Sequence, residues 1–373
     1  MNQRLIGLIR KETKQILRDP SSLAIAFLLP VILLLLFGYG VSLNARHIPI
    51  ALVADAPDAH SAALFSHFDH SESFTPQIAP NLAVAEQWLL DRRVDAIVHL
   101  PSDFSRRLVA ASGEAPAPVQ LIVNGVDANQ ARLIEAYVQA TWSLWLNATL
   151  AEQGRTLNPP ITLIPRIWFN PELRSRDYLV PGLIAVIMTL IGALLTALVM
   201  AREWERGTLE AMMVTPMQIN ELILGKLLPY FVLGMGGMAL SVAMARWLFA
   251  VPFLGSWWLL VLSSAVFLLA ALGMGLLISV TARNQFIASL ISIIVTFLPA
   301  FMLSGFIFDI GSMPSWLQAL THLVAARYFV TLLHTLFLAG DIPSIIWPNL
   351  LALAALALVF LAASRRKIRK SLD

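Results

Sequence analysis

The sequence predicts a mainly α-helical, polytopic membrane protein with six transmembrane helices and an α/β domain inserted between the first and the second. Three observations carry this. Apolar residues make up 58% of the 373 and charged residues only 13%, about half the roughly 25% charge of soluble domains. Apolar stretches at 21–43, 179–201, 227–245, 257–280, 286–308 and 345–363 are each long enough to cross a bilayer as a helix. One long polar segment, 44–177, interrupts them after the first. Cysteine is absent, which excludes disulfides, thiolate metal sites and a cysteine nucleophile. The net charge of +3 is modest. Basic residues gather beside apolar runs rather than on one face, a pattern of membrane lipids and not of nucleic acid.

Residues 1–20 read as an amphipathic helix on the membrane surface. At 100° per residue Arg4, Arg10, Lys11, Lys14 and Arg18 share about a third of the circumference, and Leu5, Ile6, Leu8, Ile9, Ile16 and Leu17 oppose them. Glu12 is a misfit on the apolar side. Asp19-Pro20-Ser21 breaks the helix. The first span holds Pro30 and reads as an uncleaved anchor, because 20 residues exceed an ordinary signal-peptide n-region.

Segment 44–177 alternates β-type runs at 48–54, 94–100, 119–124 and 161–168 with helical stretches at 61–68, 82–91, 103–111 and 129–152, the order of a small α/β domain. In the spans, Gly234, Gly236, Gly237 and Ser241, with Gly273 and Gly275, suit closely packed helices. Pro30 and Pro299 are expected to kink spans 1 and 5. Residues 313–338 are apolar but contain His322, Arg327 and His334, and a crossing there would move the basic tail 364–373 to the other side. They are therefore read as re-entrant or interfacial helices. With both ends inside, the cytoplasmic segments hold fourteen Lys/Arg and the short outer loops only Arg246 and Arg327, which decides the orientation and puts 44–177 outside. Trp247, Trp257 and Trp258 then flank an uncharged outer turn as interface anchors.

The densest charge lies between the second and third spans: Arg202, Glu203, Trp204, Glu205, Arg206, Gly207, Thr208 and Glu210. Read as a short helix, it stacks Trp204, Thr208 and Met212 behind a front of Glu203, Glu205, Arg206 and Glu210. Such a segment rests on the bundle and is gripped from the cytosol by a partner. Catalytic motifs are absent: there is no G-x-x-x-x-G-K-[ST], and Gly225-Lys226 lacks both the upstream glycine and the following hydroxyl. No H-E-x-x-H or G-x-S-x-G occurs. His60, His67 and His70 with Asp69 are too loosely spaced to read as a metal site. The spans carry no ionisable residue away from their ends, and ion-coupled transporters keep one at mid-membrane. A carrier with neither an internal acid nor a nucleotide motif is expected to receive its energy from another protein.

The chain resembles the ABC-2 type permeases, the membrane subunits of bacterial ABC exporters, in their multidrug branch with a large periplasmic insert. The residues that carry this are Lys11-Glu12 with Arg18-Asp19-Pro20, Phe37-Gly38-Tyr39, Trp168-Phe169-Asn170-Pro171, Pro181-Gly182, Arg202 through Thr208, Leu303-Ser304-Gly305-Phe306 and Ala326-Arg327-Tyr328-Phe329. The resemblance implies that residues 1–20, with Lys11, Glu12, Arg18 and Asp19, are a connecting helix. It implies that 203–215 are a coupling helix seated on a cytoplasmic ATPase, which binds ATP and Mg. It further implies a second permease, as homodimer or paralogous heterodimer, and in similar transporters a periplasmic adaptor and an outer-membrane channel. The expected cargo is an amphipathic or lipophilic compound, with drug efflux foremost. The alternatives are a lipid or cell-envelope precursor moved by the same machinery, a membrane-anchored ligand sensor, or an ion-coupled transporter.

Overall fold

The computed structural model describes residues 3–40, 47–109, 119–124, 128–152, 174–208 and 218–368. They form two compact units, one of 1–42 with 167–373 and one of 43–166. The first is helical. Its N-terminal helix, Gln3–Leu17, precedes six helices long and apolar enough to cross a membrane: span 1 Pro20–Gly40, span 2 Ser175–Glu205, span 3 Ile219–Leu248, span 4 Trp257–Ala282, span 5 Gln285–Leu303 and span 6 Pro343–Lys367. Span 2 is the axis: 89% of its apolar window is buried, against 22% for spans 1, 5 and 6. A helix apolar on all sides and inside the bundle is a core helix, and the three outer spans leave apolar faces for lipid or another chain.

The helix seams depend on small residues. A Cβ on Gly275 of span 4 would lie 2.2 Å from the Ala193 carbonyl oxygen of span 2, and one on Gly237 of span 3 would lie 2.4 Å from the Ala26 carbonyl oxygen of span 1. Only glycine permits those approaches. Across the first seam the Thr196 hydroxyl donates to the Leu272 carbonyl at 2.9 Å, and the Ala201 N–H donates to Ser279 Oγ at 2.8 Å. Proline is accommodated rather than helix-breaking. Pro30 and Pro299 each follow a π-turn, Ala24–Leu28 and Ile293–Phe297, and the wider turn relieves the clash and missing donor that proline brings. The stretch read as re-entrant is a pair of helices, Ser315–Thr321 and Ala325–Ala339, bent by 82° to one another. Trp247, Trp257 and Trp258 are exposed.

One expectation is corrected here. Span 3 does not begin at residue 227 but at Ile219, and Glu221 and Lys226 lie inside its helix. Lys226 has only 2% of its side chain exposed. A charge is tolerated there because it is paired, as described below.

The second unit is an α/β domain built on a four-stranded sheet. In chain order its strands are β1 Ile48–Ala54, β2 Phe74–Ile78, β3 Ala96–Leu100 and β4 Gln120–Val123, arranged β2-β1-β3-β4. β2 and β3 run parallel to β1, and β4 is antiparallel to β3. Parallel neighbours need helical crossovers: Ala59–Asp69 joins β1 to β2 and Leu82–Leu90 joins β2 to β3. The period-2 alternation of strands sorts the side chains. Ile50, Leu52, Ala96, Val98 and Leu100 pack with Leu64, Phe68, Ile134 and Trp145 on one face. Ala51, Val53 and Ile97 pack with Ala85 and Val94 on the other. β2 was not read from the sequence, since Phe-Thr-Pro-Gln-Ile shows little alternation. It is an edge strand, where the missing N–H of Pro76 is tolerated. The strand expected at 161–168 lies outside the described residues.

At the end of β3, His99 Nε2 pairs with Asp55 Oδ1 at 3.0 Å and Nδ1 with Gln120 Oε1 at 3.1 Å. Burial alone would lower the imidazole pKa, but the contacts with Asp55 and Gln120 outweigh it and raise the pKa above 6.5. A raised histidine stabilises fully below its unfolded pKa, near 6.5, and loses that contribution as pH rises through the folded value. Hydrogen exchange of β3, corrected for the intrinsic pH effect, is therefore expected to quicken above pH ~6.5. In Asp55→Asn this dependence should flatten, and an unchanged profile would refute the pairing.

Candidate coupling corner

The charged sequence between spans 2 and 3 is not one short helix. The helix of span 2 runs on through Glu205, Arg206 caps it, and Gly207 turns the chain at φ +66°. That conformation costs glycine little and other residues more. Trp204 and Thr208 therefore do not stack on one continuous helix. Residues 209–217, with Glu210 and Met212, lie outside the described residues.

Because successive helical residues are 100° apart, 202 to 205 point in four directions, and each finds a different neighbour. Arg202 Nη1 pairs with Asp19 Oδ2 at 2.8 Å, and Asp19 caps span 1 by accepting from the Ser21 N–H. Glu203 Oε1 accepts from Lys226 of span 3 at 3.1 Å and from Lys11 of the N-terminal helix at 3.0 Å. The Thr208 hydroxyl donates to its second oxygen. Trp204 lies under the Arg283 guanidinium, 4.3 Å from the ring centroid, and Arg283 is the left-handed residue that ends span 4 at φ +54°. Glu205 accepts from the Gln285 N–H at 2.9 Å at the start of span 5 and also from its side-chain amide. One helical turn thus joins the N-terminal helix, spans 1, 3 and 5, and the end of span 4.

Glu203 was expected to face the cytosol. It is turned inward and buried, while Glu205, Arg206, Gly207 and Thr208 are exposed. Glu12, the misfit of the amphipathic helix, explains the arrangement. It lies with Leu8 and Ile16 on the buried face of Gln3–Leu17. Its Oε1 accepts from Lys226 Nζ at 3.0 Å and from Lys11 Nζ at 3.2 Å. Gly225 makes room for that helix: a Cβ there would sit 2.4 Å from Leu8 Cδ2. Two acids and two bases form one quartet with three members buried. Burial alone would lower the Lys11 pKa, but Glu203 and Glu12 hold it raised. Burial likewise would raise the Asp19 carboxyl, and donors from Ser21, Arg202 and Ser22 hold it well below the usual range. Sequence reasoning missed Glu12 and Lys226 as partners. The available signal was one acid on an apolar face and one base abutting an apolar run, of opposite sign.

Arg18 is exposed and lines one concavity with Lys11, Asp19, Arg202 and Arg206. His67 and His70 bond carbonyls of their own helix, at Ala63 and Ser66. Among the described residues no three His, Asp or Glu side chains converge as a metal ion would require.

Six helices among the described residues, each long and apolar enough to cross a membrane, define a polytopic membrane protein. The chain belongs to the ABC-2 family of transporters: the model of the ABC-2 family transporter protein matches residues 20–366. It is 41% identical over 375 residues to the probable multidrug ABC transporter permease YbhS of Escherichia coli K12, covering 100% of this chain and 98% of that one. It is 32% identical over 380 residues to the probable multidrug ABC transporter permease YbhR of the same organism, covering 99% and 100%. The inner membrane transport permease YhhJ matches at 28% over 304 residues, 79% of each chain. The chain is thus a multi-pass permease subunit of an ABC exporter, and its family implies a partner ATPase and a second permease.

Proposed function

We propose that this permease carries amphipathic or lipophilic compounds, drugs foremost, out of the cytoplasm or inner leaflet, driven by a separate ATPase that binds ATP and Mg. The observation that carries the reading is the corner at 202–205. A push on the exposed residues that follow it reaches the N-terminal helix and spans 1 and 3 through ion pairs and span 5 through a hydrogen bond, all of about 3 Å. In this reading Arg202 to Thr208 with Glu210 form the coupling segment, and Lys11, Glu12, Arg18 and Asp19 belong to the connecting helix. The distribution of basic residues supports an orientation with both ends in the cytoplasm and 44–177 in the periplasm of a bacterial inner membrane. There the α/β domain is the natural contact for an adaptor that continues to an outer-membrane channel. The partner permease is a second copy or a paralogue. The names of the relatives, probable multidrug permeases, support drugs as cargo.

The test is reconstitution in sealed vesicles with a fluorescent lipophilic cation as probe. Accumulation should require the ATPase, Mg and ATP together. Uphill transport by the permease alone would sink the proposal, as would transport that follows a proton gradient after ATP is exhausted.

A further inference from the structure

The α/β domain holds a cavity of about 560 Å³ between the helix Ala59–Asp69 and strands β1 and β2, a size that suits one drug-sized ligand. Leu52 of β1, Phe65 of the helix, and Pro76 and Ile78 of β2 make its wall mainly apolar. Ile78 is 73% exposed, so a large apolar side chain stands open to solvent at the rim. Among the described residues the only charged side chains in the wall are two acids, Asp58 and Asp69. Asp58 is engaged at the start of the helix. It accepts from the Ser61 N–H at 2.9 Å, and hydrogen bonds from Ser105 and Ser61 hold its carboxyl below the usual range. Asp69 is the last residue of the same helix, where the helix dipole is itself negative. It is exposed and has no hydrogen-bond or ion-pair partner among the described residues. An apolar wall with an uncompensated anion at one end complements a ligand that is apolar and positively charged.

We propose that this cavity binds one amphipathic organic cation per chain, its apolar body against Phe65 and Ile78 and its charge toward Asp69. This deepens the proposed transport function, on whose lipophilic cargo the choice of ligand rests, by giving that cargo a charge and a site in the α/β domain. The backbone argues against the other occupant of such a groove, an extended peptide added to the sheet edge. The Ile48 N–H donates to the Ser73 carbonyl at 2.8 Å and the Ala79 N–H to the Leu52 carbonyl at 2.9 Å. The odd-numbered residues from 73 to 79 therefore face β1, and Phe74, Pro76 and Ile78 present their backbone to the free edge. The Phe74 N–H is already taken by the Ser71 carbonyl at 3.2 Å, and Pro76 has no N–H. Ile78 alone keeps a donor, which is too little to hold a strand by main-chain hydrogen bonds.

The experiment uses the full chain in mild detergent, with neither ATPase nor ATP. Binding of tetraphenylphosphonium is measured by equilibrium dialysis against protein-free micelles. Tetraphenylborate, of the same shape and opposite charge, is the comparison. One tetraphenylphosphonium per chain should bind, and tetraphenylborate should bind roughly tenfold more weakly or worse. D69N should weaken binding of the cation about fivefold, the upper range for an exposed ion pair. I78S should weaken it about tenfold, for an apolar side chain that the ligand covers. Both positions are exposed, so both variants should melt like the parent. D91N alters a matching exposed acid at the end of the helix Leu82–Leu90 and should bind like the parent. Equal binding of the borate overturns the proposal, and so does full affinity in the double variant D69N/I78S or an equal loss in D91N. If a Leu-Lys-Leu-Lys-Leu peptide displaces the cation at comparable concentration, the groove docks protein and the proposal fails. Because binding is read without ATP, its failure leaves the transport reading to the vesicle test, and a cation that is bound here but never transported would sink that reading and leave this site standing.

Discussion

Replacing Lys226 with methionine is expected to destabilise the helical unit by about 3–5 kcal/mol, the usual cost of removing one partner from a buried ionic cluster. Lys226 bridges Glu12 and Glu203, at 3.0 and 3.1 Å, and its side chain is 2% exposed. Without it two carboxylates share a buried space with only Lys11, itself half-exposed, as counter-charge. Glu12 suffers most, because its second oxygen already has no partner among the described residues. The N-terminal helix, whose buried face is Leu8, Glu12 and Ile16, should then lift from span 3. The readout is a lower melting midpoint in detergent together with new protease cleavage within residues 3–17. The variant E12L/E203L/K226M removes the three buried charges of the quartet at once and should recover much of the loss, since apolar replacement of a whole buried cluster is often neutral or stabilising. If K226M melts like the parent, the quartet does not hold the corner together.

The second large effect is expected on transport. Glu205→Lys should cut ATP-driven accumulation by about tenfold or more, within the 5–150-fold range of coupling between sites. Glu205 is exposed, yet it accepts both the Gln285 N–H and the Gln285 side-chain amide at the start of span 5. That helix end carries positive partial charge, so a lysine there loses an acceptor and adds repulsion. Spans 2 and 5 would no longer move as one body when the following segment is pushed. Glu205→Gln keeps an acceptor oxygen and should retain most of the transport. Glu205→Lys should insert and melt nearly like the parent, because the contact is at the surface. Unchanged uptake in that variant would show that the link to span 5 plays no part in energy transfer. Reversal of Glu203 is a poorer probe of the same idea: it faces Lys226 and Lys11, so its reversal would report collapse of the quartet.

Much of the architecture was legible in the residues because the bilayer is a severe constraint. An uncharged run of twenty or so residues has few ways to satisfy its backbone outside a membrane helix, and all six spans were readable within a few residues except at span 3. That miss has a definite cause. Lys226 looked like the end of the apolar run, since an isolated charge does not enter one, but Glu12 and Glu203 admit it. β2 escaped for a related reason. Pro76 argues against a strand until the edge position is known, and that position follows from the crossover topology. The surroundings of Arg202, Glu203, Trp204 and Glu205 were legible as a dense charged segment, but their directions were not. Gly207 ends the helix before the apolar stack assumed for Trp204 and Thr208 can form.

Composition and hydropathy by themselves determined that the chain is a multi-span membrane protein with one polar insertion, because water and hydrocarbon sort residues by type wherever they fall along the chain. Tertiary structure alone decided which charges are internal struts and which face outward. Glu12 and Lys226 are 214 positions apart, and a side chain reads as misplaced or as essential only once its counter-ion, brought by another helix, stands 3.0 Å away. Electrostatic energy in a dry interior depends on that distance and on burial, neither of which is written in the order of the residues.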